Sequence, residues 1–152
     1  MLTQRARNWI LLPALLCAFC LAGSAQSPVR YTFFGGALLG SPNGFAAGGA
    51  LNFAINRNVS FEPSLALGRS GNEGLFTADG VFHYDFHLDD EAIIPYLLGG
   101  VGLAQWGSAT HGSGIIGVGA RIPLGHGTWL EPEVRGATHG LARFTIGISK
   151  SF

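Results

Sequence analysis

The last twelve residues of the chain alternate between apolar side chains and side chains that are polar or small. Phe144, Ile146, Ile148 and Phe152 share one parity, and Arg143, Thr145, Gly147, Ser149 and Ser151 share the other. Successive side chains of a β-strand point to opposite faces, so this segment is predicted to be a strand with one apolar and one polar face. A strand between lipid and a polar lumen has this pattern, and such strands cross membranes only in closed barrels.

Seven segments upstream have the length and apolar content of comparable strands. Together with the final segment they predict eight strands, at 30–39, 45–55, 59–69, 75–88, 93–106, 114–123, 129–137 and 141–152. Most reach the ~9 to 11 residues that a tilted spanning strand needs. Clusters of Gly, Asn, Ser and Asp separate them and favour turns, the longest predicted connection being Gly107–Ser113.

The predicted strands differ in how clearly their two faces can be told apart. In the second, Phe45, Leu51 and Phe53 lie on one face, and the other face carries only Ala, Gly and Asn. The fifth is apolar on both faces, so the pattern leaves open which of its residues face inward.

The amino-terminal segment has the features of a secretory signal peptide. Basic residues precede an apolar run at 9–21, and small residues lead to a predicted cleavage after Ala25. The run is shorter than the ~20 residues of a spanning helix, although an uncleaved anchor is the alternative. Both cysteines, Cys17 and Cys20, fall in this segment. The mature chain is therefore predicted to form neither a disulfide nor a thiolate metal site.

Composition excludes some classes of function. Removal of 1–25 takes away two of nine basic residues and none of nine acidic ones, which leaves a formal charge of −2 and no basic patch for nucleic acid. Charged residues are only 12% of the chain, yet 24 of 152 residues are Gly and the mean hydropathy is +0.32. A barrel whose outer face meets lipid needs this composition, which is rare in soluble domains.

These features predict an all-β fold, an eight-stranded antiparallel up-and-down transmembrane β-barrel at 26–152, preceded by a helical signal peptide at 1–25. An even number of strands places both termini on the periplasmic side.

The strand spacing, the apolar stretch at 95–102, the segment at 117–121 and the closing strand resemble the small OmpA-like outer-membrane β-barrel family. The resemblance covers nearly all of 26–152 and implies a multi-pass location in the outer membrane. It does not extend to the peptidoglycan-binding domain of full OmpA proteins, so no role in cell-wall tethering is implied.

Four residues of the closing strand, Thr145, Gly147, Lys150 and Phe152, resemble the terminal signal by which outer-membrane barrels are recognised for assembly. Lys150 stands where an aromatic or apolar residue is usual, but a lysine at a strand end can extend its amine to the lipid headgroups. The resemblance implies outer-membrane lipid and the barrel assembly machinery as partners, and we expect a monomer.

Nine charged residues, four positive and five negative, have the parity predicted to face the lumen. They are Arg30, Glu62, Asp79, Asp85, Arg121, Glu131, Glu133, Arg135 and Arg143. Side chains can fill the interior of an eight-stranded barrel, so we expect an interlocking network of ion pairs that plugs the lumen. That predicts a structural or limited-permeability role. A narrow gated pore in which the charges exchange partners is the alternative.

Two further hypotheses belong to other classes of protein. A barrel enzyme that modifies outer-membrane lipid would use His111, Ser113 and His139, near the predicted outer rim. The His-x-Ser step resembles that of lipid A deacylase barrels, but the asparagine expected after the serine is Gly114. A soluble lipocalin-like barrel would need apolar residues inside, which is the opposite parity. We expect no enzymatic activity, no cofactor and no metal site.

Overall fold

The structure is a computed structural model that describes residues 29–40, 43–87, 92–138 and 140–151. It contains eight strands, namely β1 (Val29–Leu39), β2 (Gly44–Ala54), β3 (Val59–Ser70), β4 (Glu73–Asp85), β5 (Ile94–Trp106), β6 (Ala109–Gly125), β7 (Thr128–Ala137) and β8 (Ala142–Ser151). The predicted signal peptide at 1–25 lies outside the described residues. Across the described ranges, no helix is long and apolar enough to span a membrane.

Each strand pairs antiparallel with the next, and β8 pairs with β1, so the sheet closes into a barrel. The start of β1 and the ends of β2, β4, β6 and β8 lie at one end of the barrel, here called the terminal end. The ends of β1, β3, β5 and β7 lie at the opposite end, here called the far end. This is the predicted fold class and topology.

The alternation along the strands separates an apolar exterior from a mixed interior. Large apolar side chains cover the outside, and Phe33, Leu67 and Ile116 are 69%, 68% and 73% exposed. Such an apolar surface is stable in contact with lipid rather than with water. The interior contains the buried polar and charged side chains, which is the parity opposite to that of a lipocalin-like barrel.

The strand that the sequence left open, β5, also has an inner and an outer face. Tyr96 and Leu98 are buried in the lumen, whereas Leu97 and Val101 are exposed on the outside. The pairing with β4 explains this, because Tyr96 lies opposite Asp85 and Leu98 opposite His83, both on the inward face of that strand.

The prediction of a loop at Gly107–Ser113 is wrong. Only Gly107 and Ser108 form the turn, and β6 begins at Ala109, where it pairs with Trp106 of β5. The glycines and serines of this segment favour loops, but continued backbone pairing with β5 outweighs that preference. Gly107 has a φ of +58°, a conformation that glycine adopts without strain. The hairpin of β5 and β6 extends beyond the end of β7, because the pairing of β6 with β7 begins only at Ile115.

Candidate functional site

The barrel lumen brings together the nine charged residues that the alternation assigned to it. All nine have the inward parity of their strands; six of them are buried, and Arg30, Asp79 and Asp85 are partly buried. Their side chains form two groups of ion pairs, one near the terminal end and one in the middle of the lumen.

The first group lies at the terminal end around Arg121, which is 1% exposed. Its guanidinium pairs with Asp85 of β4 and lies 3.3 Å from Glu131 of β7. Glu131 is also 3.6 Å from Arg30, and it accepts a hydrogen bond of 2.7 Å from Ser149. Two cations and two anions therefore balance in this group.

The second group is organised by Arg135 of β7. Its guanidinium donates to Glu62 at 2.7 Å, pairs with Glu133, and lies 3.7 Å from Asp79. Tyr96 donates a further hydrogen bond of 3.0 Å to Glu133. The carboxylates come from three strands, so one cation ties together three parts of the wall.

Arg143 of β8 extends the second group toward the far end. It donates to Asp79 at 3.0 Å and to the hydroxyl of Thr77 at 3.4 Å. The guanidinium carbon lies 5.2 Å from the ring centroid of Phe34, a cation–π contact. Asp79 is thus shared by two arginines, and the second group contains three anions and two cations.

His83 is not among the nine charged residues predicted from the sequence, but it is 1% exposed and lies between the two groups. Arg121 donates to its Nδ1 at 3.2 Å, and its Nε2 lies 3.5 Å from Glu62. An arginine has only donors, so Nδ1 is the acceptor and Nε2 carries the proton. The signal was present in the sequence, since His83 shares its face with Asp79 and Asp85.

Glu62, His83 and Glu133 are close enough to resemble a metal site, with ligand atoms within 4.8 Å of one another. Both carboxylates, however, already pair with Arg135, and Arg121 donates to the imidazole. Two guanidinium groups at this position oppose a divalent cation. These residues fit an ion-pair network rather than a metal.

The far end of the lumen is apolar, a feature that the alternation along the strands did not predict. The buried residues there are Leu38, Ala46, Ala66, Leu75 and Ala104, with Phe34, Trp106 and Leu141 packed against them. These residues come from five strands, β1 to β5, and from the connection between β7 and β8, so the cluster forms only when the barrel closes. It forms an apolar plug beyond Arg143.

The residues considered for catalysis do not form a catalytic arrangement within the described ranges. His111 is exposed and Ser113 is partly buried, and both belong to β6 rather than to a loop. The His111 ring stacks on Trp106, with the centroids 4.6 Å apart. His139 lies outside the described residues.

Three residues of the predicted assembly signal lie in β8, and Phe152 is outside the described residues. Thr145 and Gly147 face the lumen, and Lys150 is exposed on the outer face. A Cβ at Gly147 would lie 2.9 Å from the methyl carbon of Thr32 in β1, so a small residue is needed where β8 closes against β1.

Several solved structures share this fold. The N-terminal β-barrel domain of Pseudomonas aeruginosa OprF has a TM-score of 0.70 at 14% identity, over 84% of this chain and 98% of that one. Neisserial surface protein A has a TM-score of 0.62 at 16% identity, over 84% of this chain and 98% of that one. Ail, the attachment invasion locus protein of Yersinia pestis, has a TM-score of 0.56 at 14% identity, over 83% of this chain and 97% of that one. No protein-family model and no curated protein sequence matches the chain.

The chain therefore has the fold of the small eight-stranded outer-membrane barrels, as the resemblance of its sequence implied. The likeness lies in the fold, since identity is 16% or less in all three cases. It supports the predicted location in the outer membrane.

Proposed function

We propose that this chain is a closed outer-membrane barrel whose role is structural, with limited permeability, and whose lumen is plugged. The observation that carries the proposal is that two ion pairs join opposite walls of the barrel. Arg135 on β7 pairs with Glu62 on β3, and Arg143 on β8 pairs with Asp79 on β4. Strands four apart in a ring of eight lie on opposite sides, so both pairs cross the full width of the lumen.

These crossing pairs are costly to open. Separation of a buried ion pair leaves charges without partners in a poorly hydrated interior, and removal of one partner typically costs ~3 to 5 kcal/mol. Arg135 holds Glu133 as well as Glu62, so its displacement uncovers more than one carboxylate. An ion would have to displace this network before it could pass.

The apolar plug at the far end is a second barrier in series with the ion pairs. Leu38 and Leu75 are 1% and 3% exposed, and their neighbours in the cluster are three alanines, two aromatic rings and Leu141. An apolar constriction excludes ions by dewetting, independently of any charge. The ion pairs thus block the middle of the lumen, and the apolar plug blocks its far end.

Insertion and assembly belong to the same proposal. The exposed apolar belt would contact outer-membrane lipid, and the closing strand with Thr145, Gly147 and Lys150 would be read by the barrel assembly machinery. We propose a monomer, because closure of β8 on β1 leaves no strand of the barrel wall without two neighbours.

Planar-bilayer recording tests the closed lumen. Wild-type protein should give no conductance steps, whereas a Leu38→Ser, Leu75→Ser, Arg135→Ser variant should give small steps because both barriers are weakened. Heat-modifiable migration on a gel, measured on the same preparation, controls for insertion of folded protein. Steps from the wild type would overturn the proposal and favour a gated pore in which Asp79 exchanges its two arginines.

We also propose that the barrel has no enzymatic role. The imidazole of His111 stacks on the indole of Trp106, and because His111 and Ser113 are two residues apart on β6 they lie ~7 Å apart along the strand, beyond direct hydrogen bonding. Lipid A from cells that express the wild type, His111→Ala or Ser113→Ala should give the same mass spectrum. A change in lipid A that the wild type causes and either variant abolishes would reverse this view.

A further inference from the structure

A groove crosses the outer wall of the barrel from β1 to β6, here called the wall groove. It has a volume of about 1220 Å³ and is lined mostly by outward-facing residues of these strands. Its floor consists of small residues on β2, β3 and β4, namely Gly49, Pro63, Ala78 and Gly80. A glycine in the interior of a strand often marks a place where another molecule approaches closely. The belt of large side chains is therefore interrupted where the floor lies.

Large apolar side chains surround this floor. Along its terminal side, three aromatic residues follow one another as cross-strand neighbours, namely Phe53, Phe61 and Phe82. The rings of Phe61 and Phe82 are 5.1 Å apart. Leu65 and Val101, beside the floor, are 42% and 69% exposed. The wall groove is thus continuous with the apolar belt that contacts lipid, and its side chains suit a hydrocarbon chain.

A cation lies beside the terminal end of the wall groove. Tyr31 lines the groove on β1, and its cross-strand partner on β8 is Lys150, which is exposed on the outer face. Arg57, in the connection between β2 and β3, is exposed at the same end. Of the acidic residues in the described ranges, all but Glu73 belong to the two lumen groups, and Glu73 begins β4 at the far end. The exposed side-chain charges described at the terminal end are therefore positive.

The distance between this cation and the groove floor fits a lipid of one leaflet. Lys150 on β8 and Pro63 on β3 are separated by three strand spacings, because β1 and β2 lie between them. At ~4.8 Å for each spacing, they lie ~14 Å apart along the wall. The hydrocarbon core of a bilayer is ~30 Å thick, so this distance is about the depth of one leaflet.

A phospholipid has the chemistry that matches both parts of this site. Its phosphate is an anion for Lys150, and its acyl chain is a hydrocarbon for the wall groove. The even number of strands places the terminal end on the periplasmic side, where the leaflet of an outer membrane consists of glycerophospholipid. A lipid with net negative charge is favoured over a zwitterionic one, because the ammonium of phosphatidylethanolamine opposes the cations at this end.

We propose that the wall groove binds an acyl chain of an anionic glycerophospholipid from the periplasmic leaflet, whose phosphate lies beside Lys150. This inference rests on the proposed contact between the apolar belt and outer-membrane lipid, and it deepens that contact into a defined site. It does not depend on a closed lumen, because the site is on the outside of the wall.

Native mass spectrometry tests the preference for the headgroup. Folded barrel in detergent should be mixed with equal amounts of phosphatidylglycerol and phosphatidylethanolamine that have identical chains. The wild type should retain one phosphatidylglycerol in preference to phosphatidylethanolamine. Lys150→Gln should reduce that preference about fivefold, the effect of one basic residue at an anionic lipid surface, whereas Lys150→Arg should keep it. A wild type that retains both lipids equally, or Lys150→Gln with the wild-type preference, would overturn the proposal.

The groove itself is tested by filling its floor with Gly80→Leu. A Cβ at Gly80 would meet only the ring of Phe61, at 3.6 Å, so the new side chain fits and occupies space that the acyl chain needs. Gly136→Leu on β7 is the matched control, since Gly136 also faces outward and a Cβ there would be 3.9 Å from the nearest atom. Gly80→Leu should retain less of both lipids, and Gly136→Leu should retain as much as the wild type. Equal retention by the two variants would contradict an acyl chain in the wall groove.

Heat-modifiable migration on a gel should confirm that each variant is folded before its lipids are measured. The result is independent of the conductance recordings. A barrel that conducts ions but retains phosphatidylglycerol selectively would refute the closed lumen and support the lipid site. A closed barrel without selective retention would do the reverse.

Discussion

Arg135 is the residue on which most contacts of the lumen converge. It pairs with Glu62, Glu133 and Asp79, and it is 6% exposed. The alternation predicted that this arginine faces inward, because parity follows from sequence position alone. It could not predict which acids it meets, because Glu62 is 73 positions away and lies opposite only after closure.

We predict that Arg135→Met strongly destabilises the barrel. The methionine keeps the apolar stem but leaves Glu62 and Glu133 buried without a cation, at a cost of ~3 to 5 kcal/mol. The thermal midpoint in detergent, followed by the shift between heat-modifiable bands, should fall well below that of Arg69→Met, in which an exposed arginine is lost. Adding Glu62→Gln and Glu133→Gln should recover much of the loss. Equal midpoints for the two arginine variants would show that the network contributes little stability.

Gly119 illustrates a second requirement at the level of single residues, namely room for a large neighbour. A Cβ at this position would lie 2.4 Å from the ring of Tyr96, which fills the lumen beside it and donates to Glu133. We predict that Gly119→Ala displaces the ring and lowers stability by ~1 to 3 kcal/mol.

Gly99→Ala is the control for Gly119→Ala, because Gly99 faces outward and the nearest atom to its added Cβ is 3.9 Å away. Both variants place alanine in a strand, so the backbone preferences are matched. Urea titrations of the two variants should differ, with only Gly119→Ala reducing the midpoint. Similar midpoints would mean that the contact with Tyr96 relaxes at no cost.

At the level of elements, what could be predicted depended on how different the two faces of a strand are. β2 carries aromatic and large aliphatic residues outside and small residues inside, so its faces were clear from sequence. β5 has large apolar residues on both faces because Tyr96 and Leu98 fill the lumen, and only the register with β4 separates them. The start of β6 was misplaced because its glycines favour a loop, whereas pairing with β5 continues to Trp106.

The outer face of β5 allows a prediction about depth in the membrane. Val101 lies in the middle of the strand and is 69% exposed to lipid, whereas Gln105 has the same parity but lies next to the far end. Val101→Lys should cost ~2 to 4 kcal/mol, and Gln105→Lys should cost ~0 to 1 kcal/mol. Reversible unfolding into lipid vesicles measures both. If Gln105→Lys proved the more costly, the assigned outer face or its depth would be wrong.

At the level of the whole molecule, closure depends on the first and last strands, which are distant in sequence. Eight alternating segments in a row predicted a barrel, because an open sheet edge cannot face lipid. The interior was harder to predict, since the groups that meet there come from opposite walls. The division into ion pairs at the terminal end and middle and an apolar plug at the far end is therefore a property of the closed barrel rather than of any one strand.

A cross-link at the seam between β1 and β8 tests closure directly. Thr32 and Ser149 are cross-strand partners that both face the lumen, and cysteine is close in size to each. Because the chain has cysteine only at 17 and 20, in the predicted signal peptide, the pair Thr32→Cys and Ser149→Cys would be unique in the mature protein. We predict that it forms a disulfide in the folded barrel.

The matching hairpin pair, Ala50→Cys and Ser64→Cys, joins neighbouring strands β2 and β3. In the chain-entropy view a disulfide that closes a loop of ~15 residues contributes ~3 kcal/mol, and one that closes a loop of ~100 residues contributes ~4.7 kcal/mol. The oxidised and reduced forms of each variant should be compared by their unfolding midpoints, which cancels the effect of the substitutions themselves. The seam disulfide should stabilise more than the hairpin disulfide. A seam pair that stays reduced while the hairpin pair oxidises would show that β1 and β8 are not paired. The lumen contacts that depend on barrel closure would then also be wrong.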